Sequence, residues 1–363
     1  MRGLTKAGSV AVALAALVLT SCGQQDTGGS TGDGPEAAGA GGFETGSAIG
    51  VLLSGDDSGT VEETINSAIT EANFEPDVQA AASPEEQLQQ LETMMENPPE
   101  VLIINPVDPA KLSSGLEAAG ELGVPVISYD TLITGTPNVG YYVAYDHSKA
   151  GELQAQALLD GLAADQSEGP YNIELFAGPA DQPGSQAFFD GAMGVLQPKI
   201  DDGTISILST QQGFEQVAAQ DARPEAVTSR METLLADTYA SQDLHGVLAA
   251  TDEQAQAILA AVEEAGKDLP VVTGTGSEPE AVESIMNDQQ HSTTYENDQA
   301  LAQQATAIVK ALAQDDDPTP TDSETYDNGS KVVPAFLLEP ESVTRENAPE
   351  VYADDPELSR LVQ

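Results

Sequence analysis

The stretch VLIINPVDPAKLSSGLEAAGELGVPVIS (101–128) decides the fold. It opens on a continuous apolar run closed by Asn105, the pattern of a strand buried on both faces of a parallel sheet. Asp108-Pro109 then reads as a helix start, Gly123 as its stop, and VPVIS (124–128) as the next strand. The same order of strand, Asp, helix, Gly, Pro and strand returns in GVLAATDEQAQAILAAVEEAGKDLPVVTG (246–274). Asp252 there matches Asp108 and Pro270 matches Pro125, at offsets of 144 and 145 residues. Two similar βαβ halves are expected.

Working outward, AIGVLL (48–53) and VQAAA (78–82) read as further strands of the first half. Between them, Val61, Ile65, Ala68 and Ile69 recur at helical spacing. Ser83-Pro84-Glu85-Glu86 is a capping box with Pro at the first helical position, ahead of a Leu88, Leu91, Met95 stripe. The second half carries strands at IELF (173–176), ISIL (205–208), GVLAA (246–250) and PVVTG (270–274). Its helices are expected near 184–197, 224–239, 253–265 and 279–288. Alternation of this kind predicts an α/β chain of two doubly wound parallel-sheet (Rossmann-like) lobes. Beyond the second half come STTYEND (292–298), a helix through Leu301, Ala305, Ile308 and Leu312, the acidic loop Asp315–Asp317, and the strand-like KVVPAFLLEP (331–340).

The N-terminus predicts a compartment. Arg2 and Lys6 precede an apolar stretch (11–19) too short to serve as a mature membrane span, which runs into Leu19-Thr20-Ser21-Cys22. That tetrapeptide resembles a lipobox, which implies a signal peptide over 1–21 and lipid attachment at Cys22. Cys22 is the only cysteine of the 363 residues, so no intrachain disulfide can form. Residues 22–45 are Gly, Ser, Asp and Ala with little to bury, and read as a tether. Past the signal segment ten basic residues face sixty acidic ones. A balance this negative excludes nucleic-acid partners and attraction to anionic lipid, leaving a lipid anchor as the expected membrane contact. Spread along the whole chain, it fits a solvated acidic surface of the kind found in saline habitats.

Several long blocks resemble the periplasmic monosaccharide-binding (type I) family, and its multiple-sugar-binding and xylose-binding members in particular. They are VLIINPVD (101–108), GVPVISYD (123–130), YYVAYDHSKAGELQAQAL (141–158), GPYNIELFAGPADQ (169–182), DGAMGVLQP (190–198) and ETYDNGSKVVPAFLLEPESVTREN (324–347). The resemblance implies an extracytoplasmic receptor that captures a small polar ligand between two lobes and hands it to an ABC permease. It implies lobes of 46–145 plus 295–326 and 146–294 plus 327–363, with hinge crossings near 145, 294 and 328. The protein is expected to act as a monomer without cofactor or metal. Open parallel sheets bind ligands beyond the carboxyl ends of their strands. The loops expected there supply Asp56, Asn105 and Asp130 from the first lobe, and Gln182, Arg223, Asp252 and Thr275 from the second. Asp146 and Glu296 belong to the crossings. Carboxylates and amides suit a polyhydroxyl ligand because they form strong, paired hydrogen bonds.

This chain departs from the family's sugar pockets. It has no Trp, and Tyr129-Asp130-Thr131, Pro183-Gly184-Ser185, Asp221-Ala222-Arg223-Pro224, Gly274-Thr275-Gly276 and Glu296 stand where those proteins carry other residues. A pocket poorer in aromatic surface and more acidic is expected, suited to a sugar, polyol or amino sugar.

Plainer readings compete at single positions. Asp108 reads as a helix cap, and Asp252 as either a cap or a cleft residue. Arg223, unfavourable at a helix start, reads as a cleft residue or a surface ion pair. His147 reads as structural, and Asp315–Asp317 as a solvated loop without the spacing of an EF-hand. No Gly-x-Ser-x-Gly, Walker or His-Glu-x-x-His motif occurs, which argues against an enzyme. A carboxylate-dependent glycoside hydrolase and a ligand-sensing module for a membrane signalling partner stand as the alternatives.

Overall fold

Runs that are apolar at every position become the central strands, because only a strand covered on both faces buries all its side chains. The computed structural model describes residues 42–55, 59–165, 169–180, 182–219 and 224–363. In it β1 (Ala48–Ser54), β2 (Glu75–Ala81), β3 (Val101–Ile104), β4 (Val126–Tyr129) and β5 (Tyr141–Tyr145) form one sheet with β12 (Ala335–Leu338). Its order is β12-β5-β4-β3-β1-β2 and every pairing is parallel. All four side chains of β3 and all four of β4 are buried.

A second sheet repeats that order. It contains β6 (Tyr171–Pro179), β7 (Ile205–Ser206), β8 (Ala218–Ala219), β9 (Gly246–Ala249), β10 (Val271–Thr273), β11 (Ser292–Tyr295) and β13 (Glu341–Thr344). The strands run β13-β11-β10-β9-β6-β7, with β8 beside β6 and only β13 antiparallel to its neighbour. Helices cover both faces. In the first lobe these are α1 (Thr60–Glu71), α2 (Pro84–Met94), α3 (Leu116–Leu122) and α10 (Asp298–Ala313). In the second they are α4 (His147–Asp165), α5 (Pro183–Asp201), α6 (Phe214–Val217), α7 (Pro224–Thr233), α8 (Asp252–Glu264), α9 (Pro279–Met286) and α11 (Ala348–Val351). Each lobe has apolar clusters on both sides of its sheet. Among the described residues no helix is long and apolar enough to cross a membrane.

Local chemistry explains the helix starts. Ser83 caps α2 by accepting from Glu86 N at 3.2 Å, while Glu86 Oε2 accepts from Ala82 N at 3.0 Å. The expected helix at 109 does not form. Asp108 Oδ1 accepts from Ala110 N at 2.9 Å in an Asx turn, turns continue to Gly115, and α3 begins only at Leu116. Gly123 ends α3 at φ 73, as its position predicts.

The chain passes between the lobes three times. β5 leads into α4, which packs on the second sheet; β11 leads into α10, which packs on the first; and residues 339–340 join β12 to β13. The third passage was expected near 328, with 327 onward in the second lobe. The first lobe instead continues through Leu338. Asn328 Nδ2 donates to the carbonyls of Ile133 (3.2 Å) and Thr136 (2.8 Å), Gly135 N donates to Asn328 O (2.7 Å), and β12 then pairs with β5. The final segment belongs to the second lobe, where Val343, Tyr352, Leu358 and Val362 cluster with Val282.

Candidate functional site

The carboxyl ends of the two sheets face a cavity of about 270 Å³, at the low end of the roughly 300–1,000 Å³ usual for small-molecule sites. From the first lobe it is lined by Asp130, Thr131 and Leu132 after β4, Tyr142 on β5, and Tyr326 from the return toward β12. From the second come His147 and Ala150 of α4, Gly178 and Pro179 of β6, Gln182 before α5, and Gly184, Ser185 and Phe188 within it. Ala250 and Thr251 follow β9, Thr275 follows β10, and Glu296 lies at the second crossing. A larger depression of about 580 Å³ along α1 and β2 is open and acidic and shares no residue with this cavity.

Asp130 is held in an uncommon backbone state, with φ at 61°. Asp is among the few side chains that tolerate the left-handed region. Its N–H donates to Val143 O at 2.7 Å and its carbonyl accepts from the Tyr142 hydroxyl at 2.8 Å. Ser128 Oγ donates to Thr131 O (2.7 Å) and accepts from Ile133 N (2.9 Å), closing the loop behind it. The loop is therefore fixed by its own hydrogen bonds, with the carboxyl at the cavity wall. Burial raises the pKa of that carboxyl.

The two crossings are built alike but present different groups. At the first, Asp146 Oδ1 accepts from Lys149 N at 3.0 Å and so serves the start of α4, while the next residue, His147, lines the cavity. At the second, Asn297 caps α10 through Ala300 N at 3.0 Å, and the preceding residue, Glu296, lines the cavity. Tyr145 joins the two by donating its hydroxyl to Asn297 O at 3.1 Å. Glu296 Oε1 is buried with no hydrogen-bond partner among the described residues. Its pKa is pushed up to about 8, first by burial and then by the charges of Asp130, Asp298 and Asp252. Burial lowers the pKa of His147, although Asp146 opposes the shift.

Close helix packing sets the far wall. A side chain at Gly191 would strike the carbonyl of Ser148, and one at Gly151 that of Phe188, so α4 and α5 cross at backbone contact. Gly184 is required in turn because any Cβ there would meet the His147 ring. Thr251 caps α8 by accepting from Gln254 N at 3.2 Å. Thr275 Oγ1, at the cavity wall, has no hydrogen-bond partner among the described residues.

Four of the residues expected in the cleft, Asp130, Gln182, Thr275 and Glu296, line this cavity together. Three do not. Asn105 is buried and outside the lining, and its carbonyl accepts from Gln87 Nε2 at 2.8 Å. Asp146 is spent on the start of α4. Asp252 points into the second lobe and accepts from Gln290 Nε2 (2.7 Å), Thr293 Oγ1 (2.8 Å) and Glu278 N (3.1 Å). It is neither the cap, which is Thr251, nor a wall residue. Asp56, Arg223 and Cys22 lie outside the described residues.

Sequence reasoning missed Tyr142, Tyr326 and Phe188, which give the cavity an aromatic lining despite the absence of Trp. It also read His147 as structural, although the ring faces the cavity. The available signal was position: His147 directly follows a crossing, and Tyr142 alternates with Val143 along a strand whose end meets the cleft.

Comparison with known proteins agrees with this geometry. The chain is 39% identical over 273 residues to the multiple sugar-binding periplasmic receptor ChvE of Rhizobium radiobacter, covering 74% of this chain and 77% of that protein. It is 29% identical over 280 residues to the D-xylose-binding periplasmic protein of Escherichia coli strain K12, covering 77% and 80%. A Clostridium phytofermentans ABC transporter solute binding protein, solved with β-D-glucose, superposes with a TM-score of 0.78 at 27% identity, covering 87% of this chain and 100% of that one. A Chloroflexus aurantiacus carbohydrate transporter solute binding protein in complex with D-glucose gives 0.73 at 30%, covering 85% and 96%. Since the model of the periplasmic binding protein domain matches residues 49–317, the stretch that builds both sheets up to the end of α10, the chain belongs to the periplasmic binding protein family.

Proposed function

We propose that the protein is an extracytoplasmic receptor that captures a small, hydroxyl-bearing, sugar-like solute between its lobes and delivers it to an ABC permease. The observation that carries this reading is the cavity itself. It lies at the strand ends of two sheets joined by three passages of chain, and both lobes contribute polar groups to it. A ligand touching both sides favours the closed arrangement over the open one, and rotation about the crossings provides the motion. The named relatives bind sugars, which supports the ligand class and a receptor rather than a hydrolase. The lipobox-like Leu19-Thr20-Ser21-Cys22 supports a lipid anchor at Cys22, with 22–45 as a tether.

A thermal-shift screen with pentoses, hexoses, cyclitols and amino sugars tests the reading, because a ligand that binds only the native state raises Tm. At least one member is expected to raise Tm by several degrees in a dose-dependent way. A flat response across the panel would overturn the proposal.

A further inference from the structure

Both acids of the cavity wall come from backbone that has little freedom to withdraw them. Asp130 sits on a loop locked by four hydrogen bonds, and Glu296 sits between β11 and the cap of α10. Among the described lining residues there is no Lys or Arg, and burial lowers the pKa of the one basic ring, His147. Glu296 Oε1 is enclosed yet has no donor among the described residues. Donors are abundant elsewhere in the second lobe, where Asp252 has three. The cavity therefore holds two carboxyl groups, and among the described residues no lysine or arginine lines it.

We propose that the solute this cleft selects carries a protonated amine on its hydroxylated frame, an amino sugar or aminocyclitol, with the ammonium seated against the carboxyls of Asp130 and Glu296. The proposal rests on the receptor reading above and narrows its ligand class. A neutral hydroxyl leaves Glu296 protonated beside Asp130, so the second carboxyl adds no charge to the binding. An ammonium offers three donors and a positive charge, so it can meet both groups and stabilise both as carboxylates. Tyr142 and Tyr326, with ring centroids 5.2 Å apart, add aromatic faces that favour a cation.

Proton balance makes this measurable. The titratable groups around Glu296 are Asp130, Asp298, Asp252, Tyr142 and Tyr145, with His147 on the wall of the same cavity, its pKa lowered by burial. With its pKa near 8, Glu296 is protonated in the empty cleft at pH 6. An incoming ammonium converts the acid to carboxylate, and the displaced proton leaves to solvent. Isothermal titration of the protein at pH 6, repeated in buffers of differing ionisation enthalpy, counts that proton. The probes are glucosamine, galactosamine and 2-deoxystreptamine, set against glucose, galactose, N-acetylglucosamine and myo-inositol.

The expected result is that an amine binds at least tenfold more tightly than its hydroxyl counterpart and releases close to one proton, and that E296Q abolishes the release. Should E296Q not fold, proton release by the unaltered protein must stay close to one from pH 5.5 to 6.5, where the amines remain protonated and a group titrating near 8 still holds its proton; release that fades across that range overturns the inference. If a neutral sugar binds as tightly as its amine, or an amine binds without releasing a proton, the inference fails while the receptor reading stands. If none of the probes binds, the inference fails, and the wider panel with pentoses decides the receptor reading.

Discussion

Gln87 of α2 in the first lobe and Gln254 of α8 in the second do the same work at the same strand gap, from helices placed differently in chain order, α2 ahead of β3 and α8 after β9. Gln87 Nε2 donates to the carbonyls of Leu53 (3.3 Å) and Asn105 (2.8 Å), and its Oε1 accepts from Val107 N (2.9 Å). Gln254 Nε2 donates to Ala177 O (3.2 Å) and its Oε1 accepts from Ala250 N (3.2 Å). Each amide thus bridges the two central strands where the strand order reverses, β1 with β3 and β6 with β9. What the lobes place at their tips differs. Asp130 follows β4 and Thr275 follows β10, 145 residues apart, so one side presents an acid where the other presents a hydroxyl. The framework is repeated and the chemistry is not, which separates residues that shape the cleft from residues that face it.

The largest effect should come from the acid of that pair. Asp130→Asn keeps a residue tolerant of positive φ but removes the charge, and losing a charge-assisted hydrogen bond costs about 1.5–3 kcal/mol. Ligand affinity should fall roughly 10- to 150-fold at unchanged Tm, as titration with whichever probe binds the parent protein would show. An unchanged affinity would remove the asymmetry between the lobe tips.

The glutamine pair tests the shared framework. Replacing either by Leu strands buried carbonyl and N–H groups, at a cost of about 1–3 kcal/mol. Denaturant unfolding should show losses of similar size for Gln87→Leu and Gln254→Leu. Only the second should also weaken binding, because Ala250 and Thr251 beside it line the cavity. Equal loss of affinity in both would mean that the wall is sensitive to either switch point.

These comparisons also show what was legible in the residues. Apolar runs such as VLIIN and GVLAA place central strands reliably, because burial on both faces leaves no polar position. The repeat at 101–128 and 246–274 likewise revealed two lobes. It misled at Asp108 and Asp252, where identical grammar hides an Asx turn in one lobe and a buried hydrogen-bonding hub in the other. Whether a carboxylate caps, bridges or faces a ligand depends on donors brought from far along the chain. Gln290 and Thr293 meet Asp252 from nearly forty residues or more away, and no spacing rule announces them. β13 was hidden because a four-residue edge strand with mixed burial carries no strong period.

The second crossing gives a pH signature that the first lacks. The carboxyl of Glu296 is raised from 4.5 to about 8 by burial and neighbouring acids, so the folded state holds its proton more tightly than the unfolded chain does. The stability this confers is full below the unfolded pKa and is lost as pH rises through about 8. In the ligand-free protein Tm should decline by a few degrees from pH 6 to 9, and Glu296→Gln should flatten that slope. Asp252, raised to about 6 mainly by burial, acts in the lower window between its ordinary 3.8 and 6 and leaves this one clear. An unchanged slope in the variant would place the titrating group elsewhere.

At the first crossing the corresponding acid is committed to the helix, which sets the smallest effect. Asp146→Ala removes the side-chain acceptor for Lys149 N and should cost about 1 kcal/mol, or roughly 2–4 °C in Tm for a domain of this size. Affinity should stay within about twofold, because His147 rather than Asp146 forms the wall there. The backbone link from Asp146 N to Leu338 O (2.8 Å) survives the substitution, so the crossing keeps its course. A tenfold loss of affinity at constant Tm would reverse the assignment, making Asp146 a group that reaches the ligand on closure and the two crossings alike in chemistry as well as in path.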